Sequence, residues 1–183
     1  MRAGLFRPEE FKDNCGFGLI AHMQGEASHH LLQTAIQSLT CMTHRGGINA
    51  DGKTGDGCGL LMQKPDAFLR AMAKQHFDAD LPSLYAVGMI FLSQDAGKAE
   101  TARARLNEQI AAQGLTLVGW REVPVDTTVL GRLALERLPR IEQVFVSAEG
   151  LSERDFGIKL FFARRRAEVA LASDKEFYVC SLS

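Results

Sequence analysis

Cysteine is scarce in this sequence, and its spacing excludes the usual metal and cluster sites. The chain holds four cysteines, with no CxxC or CxxH pair, so neither a zinc site nor an iron–sulfur cluster is expected. His29 and His30 are adjacent and point in different directions on any regular element, and His22 and His76 stand alone. We interpret all four histidines as surface residues, and the sequence predicts no metal site.

Long apolar runs and an excess of charge of one sign are also missing. No stretch approaches the ~20 apolar residues that span a bilayer, and the N-terminal sequence MRAGLFRPEEFKDN has no apolar signal region. The formal net charge is -1, so no overall field would attract nucleic acid or an anionic membrane. The basic run 164–166 spreads over roughly 200° of a helix, which is typical of a solvated edge. We therefore expect a cytoplasmic protein with no nucleic-acid or membrane partner.

The composition and patterning that are present indicate a globular α-and-β chain. Hydrophobic residues make up 46% of the sequence and charged residues 23%, as in ordinary soluble domains. Helices are predicted over about 28–43 with Ser28 as N-cap, 65–76, 96–113 closed by Gly114, and 153–172 capped by Ser152. Strands are predicted over 15–22, 60–63, 84–92, 115–123, 141–147 and 177–183.

The order of these elements predicts a layered domain without fixing its sheet. The run 84–92 is almost wholly apolar, so we expect it to be buried on both faces. The alternation of strands and helices is equally compatible with a parallel doubly wound sheet and with other layered folds. The chain is long enough for one domain or a large piece of one.

Cys15 opens the first predicted strand and is followed by Gly16 and Gly18. Glycine at these positions removes side chains and lets a ligand or another backbone approach closely. Two interpretations remain open at this point, because a cysteine at the start of a strand is either core material or a nucleophile. The sequence couples no histidine base to it.

Residues 44–59, HRGGINADGKTGDGCG, form a second unusual segment, which we call the glycine loop. Six glycines in sixteen residues require unusual backbone angles and close approach. A Walker phosphate loop is excluded, because Lys53 and Thr54 lack the required glycine spacing. A calcium loop is also excluded, because Asp51 and Asp56 lack the alternating acidic ligands and the distal glutamate. A structural loop that carries Arg45 to a site remains.

These two segments together resemble a known enzyme family. Cys15-Gly16-Phe17-Gly18, then His44-Arg45-Gly46, then Asp51-Gly52 are similar to the opening of class II glutamine amidotransferases. The stretch 51–57, DGKTGDG, resembles glutamate synthase within that class, as do the runs 164–166 and 177–183. The resemblance covers the whole length and is strongest over 15–63.

The resemblance implies an α+β fold and a division of the chain. The expected fold is a four-layer αββα sandwich of the N-terminal-nucleophile hydrolase type, incomplete at its C-terminal end. Residues 1–14 would be a propeptide, and 15–183 the N-terminal part of the amidotransferase domain. The nucleophile would be Cys15 with its own α-amine as base. Arg45 would lie beside it to organise the pocket, and Gly46 would let the backbone pass close. For Arg45, a surface salt bridge is the alternative.

The resemblance also implies a reaction, partners and cofactors. L-glutamine would be hydrolysed to glutamate and ammonia, and the ammonia passed to 2-oxoglutarate elsewhere in a glutamate synthase. No cofactor is expected in this segment, since FMN, the iron–sulfur cluster and the small subunit belong to other regions or chains of such enzymes. The family's Asn-Gly oxyanion pair and its glutamine-binding Arg and Asp lie downstream of the matched segment. No Asn-Gly pair occurs here, and loss of one oxyanion donor costs about 100- to 1000-fold in rate.

Because no Asn-Gly pair occurs in this sequence, two non-catalytic alternatives stay open. One is a truncated remnant that acts, if at all, as an assembly or binding module. The other is a complete small domain in which Cys15 serves only for packing.

Overall fold

A computed structural model describes residues 16–183. Within these residues the chain forms two compact units. The first, unit one, comprises residues 16–62 and 128–136; the second, unit two, comprises residues 63–127 and 137–183. Cys15 and the predicted propeptide 1–14 lie outside the described residues. No helix in the described part of the chain is long and apolar enough to cross a membrane.

Unit two is built on a four-stranded antiparallel sheet. Its strands are β1 (Tyr85–Leu92), β2 (Thr116–Glu122), β3 (Arg140–Ser147) and β4 (Tyr178–Leu182), in the order β2-β3-β1-β4. Every adjacent pair is antiparallel. The α+β class is confirmed, and the parallel doubly wound alternative is wrong.

The physical reason lies in how the helices connect the strands. Strand β1 leads through helix α3 (Ala96–Ala112) to β2, and β3 leads through α5 (Glu153–Ala170) to β4. Each helix crosses over one intervening strand, so the two strands it joins are parallel to each other but not hydrogen-bonded. This is the split βαβ arrangement of ferredoxin-like domains. The order of strands and helices along the sequence is the same in this arrangement and in a doubly wound sheet, so that order could not distinguish the two.

The core of unit two lies between the sheet and helices α3 and α5. Side chains from all three are fully buried there, among them Ile90, Leu92, Leu106, Ile110, Val144, Val146 and Ala163. Asp95 and Ser152 cap the two helices by accepting the Lys98 and Asp155 amides. The predicted cap Ser152 is confirmed. Gly114 also ends α3 as predicted, with a φ of 69° and the Leu115 amide bonded to the Ile110 carbonyl.

The opposite face of the sheet is covered in part by helix α2 (Asp66–Phe77). Phe77 packs against Phe145 with ring centroids 5.4 Å apart. Gly119 makes room for this ring, because a Cβ there would lie 2.5 Å from Phe77 Cε1. On this face Tyr85 is buried, but Val87, Met89 and Phe91 of β1 are only half-buried. The expectation that 84–92 is buried on both faces is therefore correct for one face and wrong for the other.

Unit one contains helix α1 (His29–Cys41) and the short helix α4 (Arg132–Glu136). Ser28 caps α1 as predicted, accepting the Leu31 amide at 3.2 Å. The helix ends at Cys41, two residues before its predicted end, since Met42 caps it and one turn of 3-10 helix, Thr43–Arg45, follows.

The strands predicted over 15–22 and 60–63 are wrong for the residues that the structure describes. Residues 16–22 and 60–63 have no strand partner within 16–183. Phe17, Leu19 and Leu61 are each at least 90% exposed. Both runs are short and apolar, but a strand needs a hydrogen-bonding neighbour as well as apolar side chains.

Candidate active site

Arg45 occupies the turn Thr43–Arg45, which we call the Arg45 turn. Its amide donates to the Met42 carbonyl at 2.8 Å, and the Gly46 amide donates to the Thr43 carbonyl at 3.2 Å. The Thr43 hydroxyl donates to the Thr40 carbonyl at 2.6 Å. Helix α1 therefore fixes the backbone that carries the Arg45 side chain.

Gly16, the residue after Cys15, lies against this turn. A Cβ added at Gly16 would be 3.5 Å from Arg45 Cβ, Arg45 Cγ and Met42 Sδ. The two segments that carry the resemblance, 29 residues apart by their numbers, are thus neighbours in space. The structure does not describe Cys15 itself, so its distance to Arg45 stays a prediction.

The glycine loop is folded back on itself after the Arg45 turn. Ile48 and Gly55 form an antiparallel bridge. The Asn49 amide donates to the Thr54 carbonyl at 2.8 Å, and the Gly52 amide donates to the Asn49 carbonyl at 2.9 Å. Gly52 has a φ of 70°, a conformation in which a side chain would be strained.

Asp51 organises the tip of this loop. Its carboxylate accepts the Thr54 hydroxyl at 2.5 Å, the Thr54 amide at 2.8 Å and the Leu133 amide at 3.1 Å. Hydrogen bonds from the Thr54 side chain, then from the Thr54 and Leu133 amides, hold the pKa of the Asp51 carboxyl well below its usual range. The Thr54 hydroxyl in turn accepts the Ala134 amide at 3.2 Å. A Cβ at Gly131 would lie 2.6 Å from Asp51 Oδ2, so glycine lets α4 approach the loop.

A cavity of about 420 Å³ opens beside the Arg45 turn. It is lined by His44, Arg45, Gly46, Gly47 and Asp56. The Arg45 side chain is exposed, and none of the ion pairs within residues 16–183 involves it. The salt-bridge alternative for Arg45 thus has no support among the described residues. An exposed guanidinium in a cavity can bind or orient a polar, partly negative group.

The glycine with the closest neighbours after the Arg45 turn is Gly47, which the sequence analysis did not identify. A Cβ at Gly46 would make only an ordinary contact, 3.7 Å from the Thr43 carbonyl oxygen, whereas a Cβ at Gly47 would lie 3.2 Å from Asp56 Oδ2. The Gly47 amide donates to that oxygen at 2.6 Å. The close approach expected at Gly46 is thus seen one residue later, and the functional role of Gly46 stays a prediction.

Unit two holds a second cavity, of about 600 Å³. Two arginines line it. Arg121 donates to Gln143 Oε1 at 2.7 Å, and Arg140 is paired with Glu142 and Glu122. No cysteine lines this cavity. Within the described residues, no group of three His, Cys, Asp or Glu side chains could hold a metal ion.

Comparison with known proteins supports the resemblance over nearly the whole chain. The family profile "Glutamine amidotransferases class-II" matches residues 15–183. The glutamate synthase [NADPH] large chain of Bacillus subtilis is 38% identical over 98% of this chain and 12% of its own length. Ferredoxin-dependent glutamate synthase 2 of Synechocystis is 41% identical over 95% of this chain and 11% of its own length.

A eukaryotic relative shows the same relation. The glutamate synthase [NADH] of Saccharomyces cerevisiae is 36% identical over 100% of this chain and 9% of its own length. The sequence thus spans about a tenth of the curated relatives that it matches. With its family profile covering residues 15–183, the chain belongs to the class II glutamine amidotransferases.

Proposed function

We propose that this chain is the glutamine-hydrolysing part of a glutamate synthase, with Cys15 as nucleophile. The proximity of Gly16 to Arg45 and Met42, whose side-chain atoms would lie 3.5 Å from a Cβ added at Gly16, is the observation that carries the proposal. It joins the segment that follows the cysteine to the His44-Arg45-Gly46 segment, as a shared site requires. The match to the class II glutamine amidotransferases supports glutamine as the substrate.

The proposed reaction begins with cleavage of the Asn14–Cys15 peptide bond, which releases residues 1–14. The free α-amine, with a pKa of ~7.7–8.0, can then accept the proton of a thiol with a pKa of ~8.5. The Cys15 sulfur attacks the carboxamide carbon of glutamine and forms a tetrahedral intermediate. The C–N bond breaks, the nitrogen takes the proton from the α-amine, and ammonia leaves. Water then hydrolyses the glutamyl thioester to glutamate and the free thiol.

Arg45 and Gly46 supply support for the pocket in this proposal. Arg45 lines the 420 Å³ cavity, and its positive charge would orient the substrate and exclude other arrangements there. Gly46 lets the backbone pass close to the pocket. The oxyanion donors and the glutamine-binding pair that the family uses would come from other parts of a longer polypeptide.

The larger assembly is also part of the proposal. We place residues 15–183 in a four-layer αββα sandwich in the cytoplasm, as the N-terminal part of the amidotransferase domain. The ammonia would pass to 2-oxoglutarate at a second site of the same large subunit. FMN and the iron–sulfur cluster would be held by other regions, and a small subunit would be the partner of the large one.

A non-catalytic assembly module is the second candidate. The exposure of Phe17 (93%), Leu19 (90%) and Leu61 (96%) favours it, because exposed apolar segments mark surfaces that another element covers. An assembly module would hydrolyse no glutamine, and replacing Cys15 would change neither binding nor oligomeric state.

Labelling of Cys15 tests the catalytic proposal. An electrophilic glutamine analogue should modify Cys15 in protein whose intact mass shows a start at residue 15, and should leave protein that starts at Met1 unmodified. Cys15→Ala should abolish labelling and glutamine hydrolysis, while the exposed Cys58 offers a matched control in Cys58→Ala. Hydrolysis of glutamine by protein still joined through Asn14 would contradict the proposed base.

A further inference from the structure

The carboxylate of Asp56 reaches back across nine residues to the backbone of Gly47, two residues after Arg45. The Gly47 amide donates to the carboxylate oxygen Asp56 Oδ2 at 2.6 Å, a short hydrogen bond of the charge-assisted kind. A Cβ at Gly47 would lie 3.2 Å from that oxygen and 3.4 Å from Asp56 Oδ1. The carboxylate therefore lies against the Gly47 Cα, and this contact explains why glycine occupies position 47.

The backbone of Arg45 is held from both sides as a result. On its N-terminal side, the bond from the Arg45 amide to the Met42 carbonyl ties the turn to helix α1. On its C-terminal side, the bond from Gly47 to Asp56 ties the turn to the returning arm of the glycine loop. Gly46 can adopt many backbone conformations, so a single hydrogen bond on one side would not fix the backbone between Arg45 and Gly47.

Asp56 itself is attached to an ordered frame. It directly follows Gly55, which is bridged to Ile48. The residue before Gly55, Thr54, donates through its amide and hydroxyl to Asp51, and Asp51 accepts the amide of Leu133 in α4. The backbone that leads into Asp56 is thus held by contacts that do not involve Arg45.

We propose that Asp56 is a positioning residue, which sets the place of the Arg45 guanidinium relative to the segment that follows Cys15. Asp51 fixes the frame from which Asp56 acts. Asp56 does not touch the reacting atoms; it acts through the Gly47 amide on the turn. The catalytic consequence rests on the proposed glutaminase function, whereas the contact with Gly47 does not.

Asp56→Ala and Asp56→Asn in the full-length polypeptide test this role. Rates are counted per active site, titrated by the glutamine analogue, so that loss of folded protein does not lower kcat. Asp56→Ala should lower kcat about 10- to 100-fold, since a displacement of about 1 Å costs about 100-fold, with a smaller change in KM. Asp56→Asn keeps an oxygen that can accept the Gly47 amide and should retain most of the activity. Lys53→Ala, an exposed change in the same loop, is the matched control. Wild-type kcat in Asp56→Ala would overturn the proposal.

A double-mutant cycle with Arg45→Ala tests whether Asp56 acts through Arg45. In the Arg45→Ala background, removing the Asp56 carboxylate should lower kcat less than about 2-fold further, because coupled residues are not additive. If Asp56→Ala lowered kcat in the Arg45→Ala background by as much as it does alone, Asp56 would have a separate structural role. That result would contradict the proposal.

The amide proton of Gly47 provides a readout that needs no activity. Its resonance should move upfield in Asp56→Ala and stay near its wild-type position in Asp56→Asn. If the full-length wild type hydrolyses no glutamine, the proposed function fails, and this measurement alone decides the positioning role. An unchanged Gly47 resonance in Asp56→Ala would overturn it.

Discussion

Each of the two units of the described chain is stabilised internally by a different kind of contact. In unit two, large apolar side chains such as Ile90, Leu106 and Val144 have no exposed surface. In unit one, Phe17 and many other large apolar side chains are exposed, and the ordered contacts are hydrogen bonds within the glycine loop. Burial is the dominant favourable term in folding, while an exposed hydrogen bond contributes little net free energy because water competes for it.

This difference separates a unit stabilised by buried apolar side chains from the unit that contains the candidate site. The Arg45 turn and the cavity beside it belong to unit one, whose loop geometry is set by the carboxylates of Asp51 and Asp56. Loops placed by a more rigid scaffold are the usual location of binding and catalytic groups. Substitutions in unit two should therefore change stability, and substitutions in unit one should change activity first.

The largest effect is expected from a buried charge in unit two. Glu142 is 1% exposed, and its carboxylate accepts Arg103 Nη1 at 2.9 and 3.1 Å as well as Arg140 Nε. Glu142→Ala leaves these arginines without their buried counter-ion, which costs about 3–5 kcal/mol in the free energy of unfolding. Urea unfolding of the chain measures the loss.

Glu122→Ala is the matched control for this prediction. Glu122 pairs with Arg140 at 3.4 Å, but its side chain is 68% exposed, so its removal should change the free energy of unfolding by less than about 0.5 kcal/mol. Equal losses in Glu142→Ala and Glu122→Ala would show that the buried network does not stabilise unit two.

A pair of leucines tests the apolar side of the same comparison. Leu106, with 0% exposure, lies in the core of unit two, and Leu19, with 90% exposure, lies in unit one. Leu106→Ala should cost about 2–5 kcal/mol in the free energy of unfolding, and Leu19→Ala less than about 0.5 kcal/mol. A large loss in Leu19→Ala would contradict the contrast between the units. Chemical denaturation of both variants under one set of conditions decides it.

The helices of both units were predictable from sequence because their signals are local. Ser28, Ser152 and Gly114 are caps that act within a few residues. Strand direction was not predictable, since a split βαβ unit and a parallel sheet share one order of elements. The strands predicted over 15–22 and 60–63 failed among the described residues because apolar composition does not supply a neighbouring strand.

The candidate site was predictable in its residue types but not in its geometry. The motifs identified the Arg45 turn and the glycine loop, and the structure brings Gly16 against Arg45. The contact of Gly47 with Asp56 was missed, because a calcium loop, which the spacing excludes, was the only role considered for that aspartate. The signal that could have indicated it is an aspartate between two glycines, Asp56, nine residues after the second glycine of the pair 46–47.

The smallest effect concerns acid and the frame of the glycine loop. The pKa of Asp51 is held below its usual range by hydrogen bonds from Thr54, first from its hydroxyl. Because the folded pKa is lower than the unfolded value of about 3.9, the contribution of Asp51 to stability is present above that value. It is lost as the pH falls through the folded pKa.

The Thr54 and Leu133 amide resonances should therefore keep their positions down to about pH 4 and move only in stronger acid. Asp51→Asn should remove this titration and shift both resonances already at neutral pH. Movement of both amides near pH 4 in the wild type would mean that the loop does not hold the carboxylate, and that unit one lacks the ordered frame on which the position of Arg45 depends.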